Sequence, residues 1–509
     1  MSAIERRVYV ISDLHLGGDY PKPDERGKRG FRLCTHVDDL VHFVDALAQA
    51  VAGDASIELI LNGDTVDFLA ERDIDSDSWS SFTGDQDEAV AKFNTIVERD
   101  PQVFDSLHNF LECGGRLTIL LGNHDIELSL PSVRAALRRA VGVRPGHDFE
   151  FIYDGEAYIV GDALIEHGNR YDAWNQVDFD ALRRFRSLLS RRQAVPEEYK
   201  FDPPAGSKMV TSVINPIKLE YPFVDLLKPE EEVVAPMLLA LEPGFRWLIA
   251  KIAKLLYSTR DHGLEKANLP AWGGDVHAKI ARNTPKFGGN MVAAKPSTAG
   301  QRSFSDYDAL REVLQNALHE HADGLLREIE PSGANAHVAP AFGAEIGAKE
   351  AIDRARGIAR LITSRDSASL ERRLPALLKA IRCIQGQDTF VPEIETAAEY
   401  LKAARELATR GFRYVVFGHT HKPKQVSLGT GRYYLNSGAW ADILRFPIEI
   451  LTLPEAQALS QLYPFVKAIE VGDFSQWTTF YPTYVRLELD ESNTVARAEL
   501  RTFSKGTPP

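Results

Sequence analysis

The chain has 509 residues, 44% hydrophobic and 26% charged, with a formal net charge of -13. That size supports a large core and two or more domains, and the acidic balance argues against a broad electrostatic grip on nucleic-acid phosphates, leaving room only for a local basic patch. Cys34, Cys113 and Cys383 lie far apart with no CxxC, so neither a disulfide framework nor a thiolate zinc site is expected, and the thiols read as buried or incidental in a reducing compartment.

The N-terminus enters the apolar run Val8–Ile11 with no apolar leader and cleavage site before it. Arg7–Ser12 reads as a strand ending at Asp13. His36–Ala52 carries Val37, Leu40, Val41, Val44 and Leu47 on one helical face. Ile57–Leu61 is a second strand, ending at Asn62-Gly63-Asp64. Gln86–Leu111 is helical with a boundary near Pro101. Arg116–Leu121 is a third strand, ending at Gly122-Asn123-His124-Asp125. Glu150–Tyr153 and Ala157–Ile165 read as a hairpin about Asp154-Gly155, its second arm leading to His167.

From about Trp174 to about Pro392 the pattern is mostly helical, with candidates at Asp178–Gln193, Phe245–Tyr257, Ser305–Ile329, Ala344–Ile362 and Ser367–Ile384. The most apolar stretch, Val233–Tyr257, is broken by Glu242, Pro243, Arg246, Lys251 and Lys254, so it does not read as a membrane span. A soluble cytoplasmic protein is expected. Within that stretch Phe245, Leu248, Ile249, Ile252 and Leu256 form one face, read first as lid or core packing, and otherwise as a dimer contact or a peripheral lipid contact through 245–256. Strand character then returns. Thr396–Arg410 is a helix closed by Gly411, and Arg413–Phe417 a strand ending at Gly418-His419-Thr420-His421. Arg432–Leu435 follows, and Tyr484–Leu489 with Ala496–Thr502 make a hairpin. The reading is one α/β core, 1–173 and 393–509, interrupted by a large helical insertion, 174–392.

Five clusters of metal-capable residues therefore stand just beyond strands: Asp13-Leu14-His15, Gly63-Asp64-Thr65-Val66-Asp67, Gly122-Asn123-His124-Asp125, His167-Gly168 and Gly418-His419-Thr420-His421. Ligands of open α/β sheets bind at the carboxyl ends of strands, so five such ends can surround one crevice. Imidazole and carboxylate donors suit manganese, iron, zinc or nickel. A carboxylate can bridge two ions through its two oxygens, and Asp64 is the natural candidate.

These clusters, in this order, resemble the signature of the calcineurin-like metallophosphoesterase superfamily: DxH, GDxxD, GNH(D/E), a lone H and GHxH. The resemblance covers Arg7–Asn169 and Phe412–Trp440 and leaves out the insertion. It implies a metallophosphoesterase-type β-sandwich flanked by helices and a two-metal site, with manganese expected first and iron, zinc, nickel or magnesium as alternatives. Asp13, His15 and His421 would hold the first ion, Asn123, His167 and His419 the second, and Asp64 would bridge them. His124 would assist the leaving group and Asp67 would orient His124, while Asp125 reads as a support of its loop. Asn169-Arg170-Tyr171-Asp172 reads as a polar loop, with substrate contact as the other reading.

The expected activity is metal-dependent hydrolysis of a phosphoester or phosphoanhydride, with a hydroxide bridging two ions about 3.5–4 Å apart as the nucleophile. Serine/threonine phosphatases of the superfamily carry Arg-Gly where Phe68-Leu69 follows Asp67, which argues against a protein phosphatase. Asp13-Leu14-His15-Leu16-Gly17 and Gly418-His419-Thr420-His421 are similar to UDP-2,3-diacylglucosamine pyrophosphatases, although those carry arginine at the position of His124 and a shorter insertion. A small or lipid-linked phosphodiester or pyrophosphate is the favoured substrate. The alternatives are a nuclease of the same superfamily, whose Gly122-Asn123-His124-Asp125 pattern is also similar, and a binding scaffold that retains the metal site.

Overall fold

The computed structural model describes residues 4–20, 28–51, 56–74, 76–228, 230–242, 357–358, 360–361, 369–382, 390–506 and 509. The expected helices at Phe245–Tyr257 and Ser305–Ile329, most of Ala344–Ile362, the proposed lipid-facing segment 245–256 and Cys383 lie outside those residues. The protein is mixed α/β. Two compact units are distinguished: Met1–Val234 with Gln385–Glu449 and Pro464–Pro509, and Ala235–Ile384 with Ile450–Tyr463. The segment expected to begin the insertion at 174 thus runs within the first unit as far as Val234.

The first unit is built from repeated strand–helix–strand crossovers. β1 (Ile4–Ile11) leads through α1 (Val37–Val51) to β2 (Ser56–Asn62), and α2 (Gln86–Arg99) and α3 (Pro101–Glu112) lead on to β3 (Arg116–Leu120). α4 (Pro131–Ala140) returns the chain to β4 (Phe149–Ile152). A crossover of this length lets successive strands run parallel, as β1 to β4 do. The break between α2 and α3 follows from local chemistry. The Asp85 carboxylate accepts from the Asp87 and Glu88 amides to start α2, and Pro101, which lacks an amide hydrogen, stands in the first turn of α3, where that hydrogen has no partner to lose. β13 (Thr483–Asp490) and β14 (Val495–Thr502) complete a six-stranded sheet in the order β14-β13-β1-β2-β3-β4, with β13 antiparallel to β1.

A second sheet has the order β5-β6-β8-β10-β9, from β5 (Tyr158–Val160), β6 (Ala163–Ile165), β8 (Tyr414–Phe417), β9 (Lys424–Gly429) and β10 (Arg432–Asn436). The expected hairpin about Asp154-Gly155 is corrected here. β4 pairs parallel with β3 in the first sheet, and β5 pairs with β6 in the second. The hairpin turns instead at Gly161-Asp162, where Gly161 has φ +57°, and Asp154-Gly155 carries the chain from one sheet to the other. A two-residue strand, β7 (Leu227–Lys228), lies in the segment read as helical. It pairs with β11 (Ile443–Arg445), which also pairs with β12 (Thr478–Thr479). Neither β7 nor its partners is long enough to leave a periodicity in the sequence.

Alternation along the strands sorts the side chains into layers. Tyr9, Ile11, Leu59, Leu61, Leu117 and Ile119 share a core with α1 to α4. Val8, Val10, Ile60, Leu120, Val485 and Leu487 face the other way and share a core with Ile165, Val416 and Leu435 of the second sheet. On the far face of the second sheet, Tyr400 of the helix Ala398–Thr409 has its ring centroid 6.4 Å from that of Phe417. In the second unit the helix Leu370–Ile381 buries Leu374, Leu377, Leu378 and Ile381. Among the described residues no helix is long and apolar enough to cross a membrane.

Because Ile60 is fully buried between the two sheets, Ile60→Ala is expected to cost about 2–5 kcal/mol of unfolding free energy. Urea denaturation checks this, and a loss well under 1 kcal/mol would contradict the shared core.

Candidate metal centre

The carboxyl ends of β1, β2 and β3 in one sheet and of β6 and β8 in the other converge. Direct bonds between the sheets hold them together. The Ser12 and Ser437 hydroxyls lie 2.7 Å apart, the Asn62 side-chain amide donates to Glu166 O at 2.9 Å, and His167 Nδ1 donates to Asn62 O at 2.8 Å. The chain leaves these strands through strained conformations. Asp13, His15, Asp64, His419 and His421 all have positive φ, between 45° and 66°. Such a residue costs on the order of 1–3 kcal/mol and persists only where its surroundings over-determine it.

Six of the seven residues singled out for metal binding, all but Asn123, fall into groups of close ligand-type atoms. Ligand-type atoms within 4.8 Å of one another group as Asp13, His15 and His421, and as Asp64, His167 and His419. A third group, His15, Asp64 and His124, lies between. Asp13, His15, Asp64, Asn123 and His167 are buried, and His124, His419 and His421 half-buried. His421 Nε2 lies 3.4 Å from Asp13 Oδ1 and 3.1 Å from His15 Nε2, and His167 Nε2 lies 3.1 Å from Asp64 Oδ2.

Their second nitrogens fix which lone pairs face the cluster. His15 Nδ1 donates to Asp67 Oδ2 at 3.1 Å, His167 Nδ1 to Asn62 O, and His419 Nε2 to Asp172 Oδ2 at 3.1 Å. An imidazole that gives one N–H to a carboxylate or carbonyl presents its other nitrogen as a lone pair, the arrangement of metal-ligating histidines. At 3.1 Å, His15 Nε2 and His421 Nε2 need a proton or a cation between them. Asn123 Oδ1 is buried with no hydrogen-bond partner, and Asp13 Oδ1 and His167 Nε2 make no hydrogen bond although each faces a titratable partner at ion-pair distance, His421 and Asp64. Buried atoms of this kind are costly unless something satisfies them, and a cation would.

The electrostatics point the same way. Burial opposes ionisation of Asp13, but His167 and His421 outweigh it and hold the carboxyl down at about 2. Asp64 is likewise held well below the usual range against its burial, by His167, His124 and His15. Burial would lower His124 and His167. The carboxylates of Asp67 and Asp64 instead raise His124 to about 9, and those of Asp64 and Asp13 raise His167 to about 10. For His421 burial prevails over Asp13 and the value falls. His124 and His167 thus supply positive charge beside the Asp13, Asp64 and Asp67 carboxylates.

Support comes from residues the sequence named and from some it did not. Asp67 takes His124 Nδ1 on Oδ1 at 3.0 Å and also holds His15, a second contact that the motif does not announce. The same carboxylate accepts from the Ala70 amide, starting a short turn, Phe68–Ala70. Asp125 accepts from the Gly122 and Thr65 amides at 2.7 and 2.8 Å, tying the β2 and β3 loops together. Gly122 sits so close to Asp64 that a Cβ there would lie 2.0 Å from Oδ1, so any side chain would displace that carboxylate. In the loop after His167, Asp172 bonds to His419 rather than lying free. Its carboxyl is lowered against burial chiefly by that imidazole. Cys34 is buried, its thiol pushed up to about 12 by burial, and Cys113 is exposed.

His167 is protonated at neutral pH but can ligate only as the neutral ring. Its folded value of about 10 lies above the usual imidazole range, so below pH 10 a bound cation must displace that proton. Titration calorimetry with manganese at pH 7.5, in buffers of different ionisation enthalpy, is expected to show net proton release. Binding without release would contradict a role for His167 as ligand.

No protein-family model matches the chain, and no curated protein matches it either.

Proposed function

We propose that the chain is a metal-dependent hydrolase of phosphoester or phosphoanhydride bonds, built on a metallophosphoesterase-type β-sandwich. One observation carries the reading. Strand ends from two sheets bring Asp13, His15, Asp64, His167, His419 and His421 into one cluster, and Asn123, at the end of a further strand, keeps a buried side-chain oxygen with no hydrogen bond. This donor set fits two hard to borderline divalent ions, manganese first. Asp13, His15 and His421 would hold one, Asn123, His167 and His419 the other, and Asp64 would lie between them. Two such ions supply Lewis acidity toward phosphoryl oxygens and lower the pKa of bound water.

The remaining work falls to the chain itself. Asp67 fixes the His124 ring through Nδ1, so Nε2 is the atom His124 can offer to a leaving oxygen. In the metal-free protein the Asp67 and Asp64 carboxylates raise that ring to about 9, and its half-buried position at the cluster leaves it within reach of a substrate. A positioned acid of this kind contributes about 10²–10⁴ in rate. The favoured substrate is a small or lipid-linked phosphodiester or pyrophosphate.

The test is hydrolysis by purified, manganese-loaded protein of a phosphomonoester, a phosphodiester, a nucleotide pyrophosphate and single-stranded DNA. Turnover of the phosphodiester or pyrophosphate is expected and should vanish in Asp64→Asn. Full activity in that variant would remove the bridging assignment, cleavage of DNA alone would make the protein a nuclease, and no turnover of any substrate would overturn the hydrolase reading. His124→Ala is expected to keep its metal but lose about 10²–10⁴ in rate on poor leaving groups and far less on good ones. Equal losses on both would rule out proton donation.

A further inference from the structure

The two halves of the cluster are supported differently. His15, in the first, leans on Asp67. In the second, a short hydrogen-bonded chain runs through the loop after β6. Asp172 Oδ2 accepts from His419 Nε2 at 3.1 Å and from Asn175 Nδ2 at 2.6 Å. With Nδ2 so engaged, Asn175 turns Oδ1 toward Asn123, whose Nδ2 donates to it at 3.5 Å. That contact leaves Asn123 Oδ1, a buried atom with no partner, as the free acceptor of its amide. One carboxylate therefore sets the ring state of His419 directly and the amide orientation of Asn123 through Asn175.

The loop is made to hold that carboxylate still. Asp172 Oδ1 accepts from the Trp174 amide at 2.9 Å, and the Asn175 amide donates to Asp172 O at 3.1 Å. Behind it, the Gly206 amide donates to Trp174 O at 2.8 Å. A Cβ on Gly206 would come within 2.1 Å of Asn175 Oδ1, so the following segment closes on Asn175 only because that position has no side chain.

We propose that Asp172 and Asn175 are the positioning pair of one half of the metal centre, presenting His419 and Asn123 to the second ion and leaving the first half-site to Asp67. Without the Asp172 carboxylate, His419 is free to move its proton to Nδ1, which removes the lone pair it would offer. Asn123 is free to turn its NH2 group toward the ion. Both changes weaken the same half-site. This inference rests on the two-ion reading above.

The experiment is stepwise manganese titration of the metal-free full-length chain, followed by calorimetry and by the electron paramagnetic resonance signal of coupled manganese pairs. Wild type is expected to bind two ions. In Asp172→Ala the first step should be unchanged, and the second weakened by about 10–100-fold, with loss of the coupled-pair signal. Asn175→Ala, which leaves the His419 contact in place, should weaken the same step by less, and it keeps the test open if the first variant folds poorly. Two steps as in wild type, or an equal weakening of both, would overturn the proposal. A wild-type chain that binds no ion would overturn the two-ion reading instead, and this inference with it.

Discussion

Everything at the centre depends on keeping the Asp64 carboxylate charged where water cannot reach it. Burial alone would protonate it, and three imidazoles prevent that. Oδ1 takes the His124 amide at 2.8 Å, while Oδ2 faces His167. Gly122 is pressed so close that no other residue fits. The backbone at Asp64 is itself left-handed. A group this constrained cannot relax to suit a proton, so the surroundings must supply positive charge at a fixed place.

That requirement explains the architecture around it. The clustered carboxylates and imidazoles come from two sheets, and loops of two sheets keep a fixed spacing only if they are also bonded to each other. Here they are, through Ser12 and Ser437, Asn62 and Glu166, and His167 and Asn62. Asp125 and Asp67 serve the same end within the first sheet. The rigid layers supply position and the side-chain bonds supply orientation, the division that a preorganised site calls for.

Much of this was legible in the sequence because strands and long helices leave periodic marks. β1, β2, β3 and β8 each end within a residue of the expected boundary. β1 begins three residues earlier than expected, since its pairing with β13 extends to Ile4. The metal-capable clusters could be singled out because each follows an apolar run, while the ligand set itself was implied by the resemblance. What failed was pairing. Asp154-Gly155 has good turn chemistry, but which strands flank a turn depends on the sheet each joins, and local sequence does not encode that. The double duty of Asp67 and the bracing by Asp172 were also hidden, because both are contacts between segments far apart in the chain. The left-handed backbone at Asp13, His15, Asp64, His419 and His421 leaves no compositional trace either, since none is glycine.

The pairing of β1 with β13 also sets an order of assembly. A chain emerging from its N-terminus makes β1, β2 and β3 early, yet one edge of β1 stays open until Thr483–Asp490 has been made. Asp64, Asn123 and His167 are present long before His419 and His421 arrive. Asp13 and His15 are therefore made long before His421, which lies 3.4 Å from Asp13 Oδ1 and 3.1 Å from His15 Nε2 in the finished protein. The centre closes only once β8 has joined the second sheet and His419 and His421 have followed it.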